Sequence, residues 1–254
     1  RRGQPAYLHQ YGLCDVEQQK LVAADTIFRI YSMTKPMTSV ALLQLYERGL
    51  FQLDHPVARF IPSFQNLQVF AAGDAQHYQT TPPARPVTIR DLFTHTAGFA
   101  YGLASNQHPV DVLYRERGVL NGTLAEMIAK LSELPLLFSP GTRWNYSVAT
   151  DILGYLVEQI AGQPLDQYFA EQILGPLGMV DTGFVVPEEK RARFAANYAF
   201  HEGGFRPIDE SATRSYLKPP VMLSGGGGLV STCADYFRFA QMLLNKGELN
   251  GVRI

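Results

Sequence analysis

A serine and a lysine three residues apart, Ser32 and Lys35, are the residues of this 254-residue chain whose types and spacing best suit covalent chemistry. Side chains three apart lie on one face of an α-helix, so the ammonium group can reach the hydroxyl. A serine hydroxyl is a weak nucleophile until a neighbouring base takes its proton, and lysine is a recognised partner in this role. The pair therefore predicts a nucleophilic serine.

The apolar run that follows the pair predicts the helix that holds it. Residues 37–50 favour a helix, and Gly49 is placed to end it. Because Pro36 is tolerated only near the start of a helix, the helix should begin close to Ser32. The serine hydroxyl would then lie at a helix N-terminus, where free N–H groups and the helix dipole favour developing negative charge.

A second Ser-x-x-Lys sequence, at residues 215–218, is not expected to form such a pair. Pro219 and Pro220 follow it directly, and a residue before proline is disfavoured in the helical region. We predict a loop there and assign the nucleophile to Ser32.

The composition excludes several classes of protein. With 46% hydrophobic and 18% charged residues, the chain is typical of a globular domain. A formal charge of -1 without a basic block argues against nucleic acid as a partner. There is no apolar stretch of membrane-spanning length and no His/Cys spacing typical of a metal site. Cys14 and Cys233 are expected to be free thiols, and a G-x-S-x-G elbow is absent.

Further helices and strands are predicted by periodicity and by capping residues. Thr88 is expected to cap a short helix, with Asp91 as its capping-box partner. The other helices are expected at 123–131, 149–160, 165–174 and 232–244, and strands at 6–11, at 26–30 and twice within 197–205. Residues 65–86 have weak periodicity and are predicted to form a surface excursion.

Five segments, taken together in order and spacing, resemble the serine β-lactamase-like family, which includes class C β-lactamases, DD-peptidases and family VIII carboxylesterases. They are SMTK at 32–35, TIRDLFTHTAG at 88–98, PGTRWNYS at 140–147, PLGM at 176–179 and SGGGG at 224–228. The resemblance covers essentially the whole chain and is nearest to the esterase branch.

The resemblance implies an α+β fold, in which an antiparallel sheet is flanked by helices and a mostly helical domain is inserted. Residues 1–254 would form one catalytic unit, with approximately 60–200 supplying the helical subdomain. The substrate would be a small-molecule ester or β-lactam, and no cofactor is implied. The resemblance leaves the oligomeric state open.

Three catalytic residues are carried over from the family. Ser32 would be the nucleophile, Lys35 its partner, and Tyr146 the tyrosine of the Tyr-x-Asn motif. A tyrosine can act as a base only if a nearby cation stabilises its phenolate, and Lys35 is the obvious source of that charge. Either Lys35 or Tyr146 could be the working base.

Two other features suggest chemistry but have simpler interpretations. His95 lacks a fitting acidic partner pattern, so we interpret it as a hydrogen-bonded turn or pocket-wall residue rather than a triad histidine. The glycine run at 224–228 lacks the Lys-Ser/Thr of a phosphate-binding loop. We predict that it allows close backbone packing beside the site.

Two departures from the family pattern refine the expected function. The tyrosine motif reads Tyr146-Ser147-Val148, and valine cannot form the hydrogen bonds that asparagine would make to a substrate amide. In addition, the family's third motif and later sheet strands would lie beyond Ile254, so we expect the sequence to be a fragment. Of the oxyanion-hole donors, only the Ser32 N–H can be assigned here.

These observations predict a serine hydrolase that cleaves short-chain carboxylic esters through an acyl-enzyme on Ser32. One alternative is a β-lactamase or penicillin-binding DD-peptidase. Another, from a different class, is a non-catalytic family member with a scaffold role.

Overall fold

The computed structural model describes residues 3–103, 105–208 and 215–254, and its helices and antiparallel strand pairs confirm the predicted α+β class. Within these residues the α-helices are α1 (Thr34–Glu47), α2 (Ile89–Phe93), α3 (Pro109–Glu116), α4 (Leu124–Ser132), α5 (Ala149–Ala161), α6 (Leu165–Phe169), α7 (Gly175–Leu177) and α8 (Cys233–Leu244). In the described part of the chain, no helix is both long enough and apolar enough to cross a bilayer.

The strands are short and pair two by two. They are β1 (Leu13–Asp15), β2 (Lys20–Leu21), β3 (Phe28–Arg29), β4 (Val69–Gly73), β5 (Tyr78–Thr81), β6 (Tyr198–His201), β7 (Gly204–Pro207), β8 (Val230–Ser231), β9 (Glu248–Leu249) and β10 (Val252–Arg253). The antiparallel pairs are β1–β2, β3–β8, β4–β5, β6–β7 and β9–β10. The strand predicted at 6–11 is wrong, because the first paired residues begin at Leu13.

The chain divides into two compact units. The first comprises residues 1–31, 169–220 and 228–254, and the second comprises residues 32–168 and 221–227. These bounds differ from the approximate 60–200 expected for a helical subdomain, which stays a prediction. In the first unit a buried cluster of Ile27, Val186, Phe194 and Val230 packs with Tyr216 and Leu217 beside the β3–β8 pair.

The second unit is built on the packing of α1 against α5. Buried side chains recur at helical spacing on both helices, namely Met37, Ala41 and Leu45 on α1 and Ile152, Leu153 and Leu156 on α5. Full burial of a Leu, Ile or Met side chain stabilises the fold by about 1.5–3 kcal/mol. This shared core fixes the start of α1 relative to the start of α5.

Most predicted helix ends are confirmed because local capping chemistry sets them. Helix α1 follows a 3₁₀ turn at Tyr31–Met33, and Gly49 adopts φ +74° just after the helix. The Thr88–Asp91 capping box is present at α2, and Gly162 closes α5 with φ +71°.

Three predicted regions differ from the structure, and one helix was not predicted. The helix expected at 165–174 changes at Ala170–Leu174 into a π-helix, where the Gly175 N–H bonds Ala170 O and the wider turn accommodates the ring of Pro176. The excursion at 65–86 contains the unpredicted hairpin β4–β5, and helix α3 was also unpredicted. The second Ser-x-x-Lys sequence begins with a 3₁₀ turn, Ser215–Leu217, rather than a loop.

Candidate active site

The nucleophile candidate and its lysine lie at the start of α1. Ser32 is exposed in the preceding 3₁₀ turn, and Lys35 is half-buried in the first turn of the helix. Lys35 Nζ donates a hydrogen bond to Ser32 Oγ at 3.2 Å. The predicted spacing therefore brings the hydroxyl and the ammonium group into contact.

The third predicted residue reaches the same oxygen from the segment that precedes α5. The hydroxyl of Tyr146 donates to Ser32 Oγ at 2.6 Å. Lys35 Nζ lies 4.6 Å from the centroid of the Tyr146 ring, which is within the range of a cation–π interaction. The structure thus brings Ser32, Lys35 and Tyr146 together, while their catalytic roles stay predictions.

Backbone strain occurs on both sides of this cluster. Tyr31, directly before the serine, has φ +43°, and His95 has φ +55°. A bulky side chain in the left-handed region costs about 1–3 kcal/mol, and such residues persist only where their surroundings enforce the conformation. The turns that present the site are therefore held in conformations that their residue types disfavour.

Aromatic side chains surround Tyr146. The ring of Tyr101 stacks on it with a centroid distance of 5.4 Å and an interplanar angle of 2°. His95 packs at 5.0 Å and Trp144 at 6.4 Å, and the Trp144 side chain is 66% exposed. Because these rings contact the tyrosine from several sides, they restrict where its hydroxyl can point.

His95 is part of the wall of the site, in agreement with its predicted place as a hydrogen-bonded turn residue. Its Nδ1 lies 3.2 Å from Ser147 Oγ. Burial, and secondly the positive charge of Lys35, lower the pKa of His95 below its usual value. The imidazole is therefore neutral at pH 7.

A buried carboxylate, which the sequence analysis missed, connects α5 to the glycine run. Asp151 is 1% exposed, and its Oδ1 accepts hydrogen bonds from Ser224 Oγ at 2.6 Å and from Gly226 N at 2.9 Å. The Gly226 carbonyl oxygen in turn accepts from Lys35 Nζ at 2.6 Å. Burial raises the pKa of Asp151, although both donors and the charge of Lys35 act in the opposite direction.

The glycine run packs against α1 and α5 at distances that leave no room for side chains. A Cβ on Gly225 would lie 2.8 Å from Thr150 O, and a Cβ on Gly226 would lie 2.4 Å from Asp151 Oδ2. Thr38 Oγ1 also donates to Gly225 O at 2.7 Å. The predicted close backbone packing beside the site is confirmed.

The motif position at which the family has asparagine is part of the core. Val148 is fully buried and precedes the first residue of α5. The neighbouring Asn145 directs its amide nitrogen to the carbonyl oxygens of Phe99 at 3.0 Å and Tyr146 at 3.2 Å. Neither residue therefore directs an amide N–H towards a bound substrate in this conformation.

A cleft of about 520 Å³ opens beside the exposed tryptophan. Its lining includes Arg143, Trp144 and Asn145, together with His108 and Phe138.

In the described part of the chain, no three His, Cys, Asp or Glu side chains are grouped so that they could hold a metal ion.

Comparison with known proteins identifies the family. The family model described as Beta-lactamase matches residues 1–253. The chain belongs to the beta-lactamase family. The predicted family and fold class are thereby confirmed.

Three similar proteins illustrate the range of the family. Protein Rv1367c of Mycobacterium tuberculosis is 37% identical over 247 residues, which are 97% of this chain and 61% of that protein. Esterase EstB of Burkholderia gladioli is 33% identical, over 94% of this chain and 62% of that protein. The structure of "EstCE1, a hydrolase with promiscuous acyltransferase activity" matches with a TM-score of 0.78 at 28% identity and covers 95% of this chain and 65% of that chain. The chain thus spans about three-fifths of the length of these relatives.

Proposed function

We propose that this protein is a serine hydrolase that cleaves short-chain carboxylic esters through an acyl-enzyme on Ser32. The observation that carries the proposal is the contact of one serine oxygen with both Lys35 Nζ and the Tyr146 hydroxyl. Two titratable groups on a single exposed hydroxyl meet the requirement for an activated nucleophile. Esterase EstB, a relative at 33% identity, supports the ester as substrate class.

The reactive state is the one in which either Lys35 or Tyr146 has lost its proton. In the first half-reaction, Ser32 Oγ attacks the ester carbonyl carbon, and its proton passes to that deprotonated member of the Lys35–Tyr146 pair. The C–Oγ bond forms and negative charge develops on the carbonyl oxygen. We expect the Ser32 N–H, which precedes α1, to stabilise that charge. As the tetrahedral intermediate collapses, the bond to the alcohol oxygen breaks. The same pair then returns the proton to the leaving alkoxide.

In the second half-reaction, water replaces the alcohol. The pair takes a proton from water, whose oxygen attacks the acyl carbon, and Ser32 leaves with its proton restored. Acyl transfer to an alcohol is the second candidate function, because an alcohol can attack at the same step. The printed description of EstCE1 as a hydrolase with acyltransferase activity supports this candidate.

The residues around the serine favour esters over amides and β-lactams. Val148 is buried where the family motif has asparagine, and the Asn145 amide nitrogen is bonded to backbone carbonyl oxygens. A substrate amide would therefore lose the side-chain partner that this motif normally supplies, and an unpaired buried polar group costs about 1–3 kcal/mol. A simple ester does not need that partner.

The experiment that tests the proposal is hydrolysis of p-nitrophenyl butyrate by the full-length protein and by its Ser32→Ala variant. We expect the variant to lose at least about a thousandfold in kcat, as removal of a catalytic nucleophile does. Ser132→Ala, which removes a serine hydroxyl that donates to Ala129 O within α4, is the matched control and should keep the serine-dependent turnover. Activity that survives Ser32→Ala would contradict the mechanism.

Two further assays separate the alternatives. Turnover of nitrocefin faster than of the ester would favour a β-lactamase or DD-peptidase. Addition of a short alcohol, followed by detection of the transesterified product, measures acyl transfer. If Ser32 is not labelled by a fluorophosphonate in the full-length protein, the proposal fails and the non-catalytic scaffold becomes the better interpretation.

A further inference from the structure

The start of α5 contains a buried acidic group that the proposed reaction does not use directly. Asp151 lies five residues after Tyr146, in the first turn of α5, and is 1% exposed. Burial of a carboxylate is costly unless hydrogen bonds or a cation compensate for the lost hydration. The two hydrogen-bond donors to Asp151, Ser224 and Gly226, belong to the segment that contacts Lys35. They therefore connect the buried carboxylate to the proposed catalytic lysine.

The first step of the connection is the hydrogen bonding of the carboxylate to the glycine run. Asp151 Oδ1 accepts from the Gly226 N–H at 2.9 Å and from the Ser224 hydroxyl at 2.6 Å. The backbone approaches so closely that a Cβ on Gly226 would lie within 2.4–2.9 Å of the carboxylate atoms. The carboxylate therefore determines where this backbone segment lies.

The second step passes from the glycine to the lysine. The Gly226 carbonyl oxygen accepts from Lys35 Nζ at 2.6 Å, and the same nitrogen donates to Ser32 Oγ at 3.2 Å. One carbonyl and one hydroxyl thus define the direction of the ammonium group. If Gly226 moved, the lysine would lose the shorter of these two bonds.

We propose that Asp151 is a positioning residue that holds Gly226 and, through its carbonyl oxygen, keeps Lys35 directed at Ser32. This inference rests on the proposed function. Ser224 supports the same carboxylate and is a secondary member of the arrangement. The inference assigns a role in catalysis to a residue that contacts neither the substrate nor the reacting atoms.

The test compares Asp151→Ala, Asp151→Asn and Ser224→Ala in the full-length protein, with kcat and KM for p-nitrophenyl butyrate expressed per fluorophosphonate-labelled site. Alanine removes the acceptor of the Gly226 N–H, and we expect kcat to fall about a hundredfold, the usual effect of misplacing a catalytic group by about 1 Å. KM should stay within about twofold, because substrate-binding groups are unchanged. Asparagine keeps an acceptor oxygen and should restore kcat to within about tenfold of the wild type.

Ser224→Ala removes one of the two donors and leaves the Gly226 N–H bonded to the carboxylate. We expect it to lower kcat by about threefold to tenfold, the effect of losing one hydrogen bond of about 1 kcal/mol. Asp91→Asn, in another buried first-turn carboxylate, is the matched control and should leave kcat per labelled site unchanged. If Asp151→Ala does not fold, Asp151→Ser, whose hydroxyl is too short to reach the Gly226 N–H, replaces it under the same criterion.

Two outcomes would overturn the inference: wild-type kcat per labelled site in Asp151→Ala, or equal losses in Asp151→Asn and Asp151→Ala. Failure of the proposed function is recognised separately, in the wild type. If the wild type is labelled at Ser32 but does not hydrolyse the ester, the ester proposal fails and the rate of labelling in the Asp151 variants decides the positioning role. If the wild type is not labelled, both proposals fail.

Discussion

Asp91 and Asp151 are buried aspartates at the same position of two helices, the third residue of α2 and of α5, but their surroundings differ. Asp91 is paired with Arg85 through two hydrogen bonds of 2.6 and 2.8 Å, and it completes a capping box with Thr88. The N-cap of the Asp151 helix is Val148, which forms no side-chain cap, and the Ala149 N–H donates to Ser147 Oγ at 3.3 Å rather than to the aspartate. Its hydrogen bonds go to the glycine run instead.

The difference is also seen in the pKa values of the two groups. Burial acts to raise the pKa of Asp91, but the Arg85 and Thr88 hydrogen bonds outweigh it and hold the pKa below its usual value. Burial raises the pKa of Asp151 because its partners compensate less completely. The partners of Asp91 come from the residues just before its helix, whereas the partners of Asp151 come from a segment that is distant in sequence. We therefore expect Asp91 to act on stability and Asp151 on activity.

The largest effect is expected from a substitution that forces the Asp151 contact apart. Gly226→Ala would place a Cβ 2.4 Å from Asp151 Oδ2, so either the backbone or the carboxylate must move. We expect ester hydrolysis per folded molecule to fall by about a hundredfold or more, since Lys35 loses its carbonyl partner. Gly204→Ala is the control, because no atom lies within 4 Å of its added Cβ. Equal activity in the two variants would contradict the expectation.

Removal of the Asp91 carboxylate should lower the stability of the fold and leave kcat unchanged. Asp91→Ala breaks the Arg85 pair and the capping box, and we expect the free energy of unfolding to fall by about 2–3 kcal/mol, a value reduced for the partial exposure of Arg85. Urea denaturation measures this change. The rate of ester hydrolysis divided by the number of fluorophosphonate-labelled sites gives kcat. Thr88→Ala, which removes only the cap, should cost about 1 kcal/mol. A loss of kcat per site in Asp91→Ala would remove the distinction between the two aspartates.

The local part of the fold could be predicted because its signals are local. The capping box at Thr88, the helix stop at Gly162 and the first turn of α1 each depend on residues within a few positions of one another. The hairpin β4–β5 was missed because it is mostly exposed and therefore lacks an apolar alternation. The predicted strand at 6–11 is wrong, because an alternating pattern does not reveal whether a partner strand exists.

The residues of the candidate site that belong to a sequence motif could be predicted. The residues that meet only through contacts between distant parts of the sequence could not. Ser32 and Lys35 are three apart, and the family resemblance supplied Tyr146. Asp151 and Gly226 are 75 positions apart, and no spacing rule links them. A signal was present nevertheless: a lone aspartate in the apolar first turn of α5, after a valine that cannot cap the helix. Buried carboxylates without a local partner are rare enough to be informative.

A smaller effect, of opposite sign for the two aspartates, is expected in the pH dependence of stability. The folded-state pKa of Asp91 is lowered, so its stabilisation is complete above the unfolded value of about 3.9 and is lost as the pH falls through the folded pKa. The folded-state pKa of Asp151 is raised, so its contribution is present below about pH 3.9 and is lost as the pH rises through the folded pKa.

Urea midpoints of the wild type, Asp91→Asn and Asp151→Asn between about pH 2 and pH 8 measure this difference. Each shifted group changes the free energy of unfolding by at most about 1.4 kcal/mol per pH unit within its window. Relative to the wild type, Asp91→Asn should become less stable as the pH rises, and Asp151→Asn should become more stable. Parallel curves for the two variants would mean that the carboxylates have equivalent surroundings.

The smallest expected effect concerns Tyr101, whose hydroxyl pKa is also affected by the charge of Asp151. Burial, then the negative charge of Asp151, raises the pKa of the Tyr101 hydroxyl, so that this hydroxyl stays protonated over the working pH range. Its contribution should therefore come from the ring, which stacks on Tyr146 and lies 5.6 Å from Lys35 Nζ. We expect Tyr101→Phe to keep kcat within about twofold, and Tyr101→Leu to lower it by about two- to twelvefold, the value of an aromatic contact of about 0.5–1.5 kcal/mol. A loss in Tyr101→Phe as large as in Tyr101→Leu would assign the effect to the hydroxyl and would make Tyr101, rather than Asp151, the group that adjusts the Lys35–Tyr146 pair.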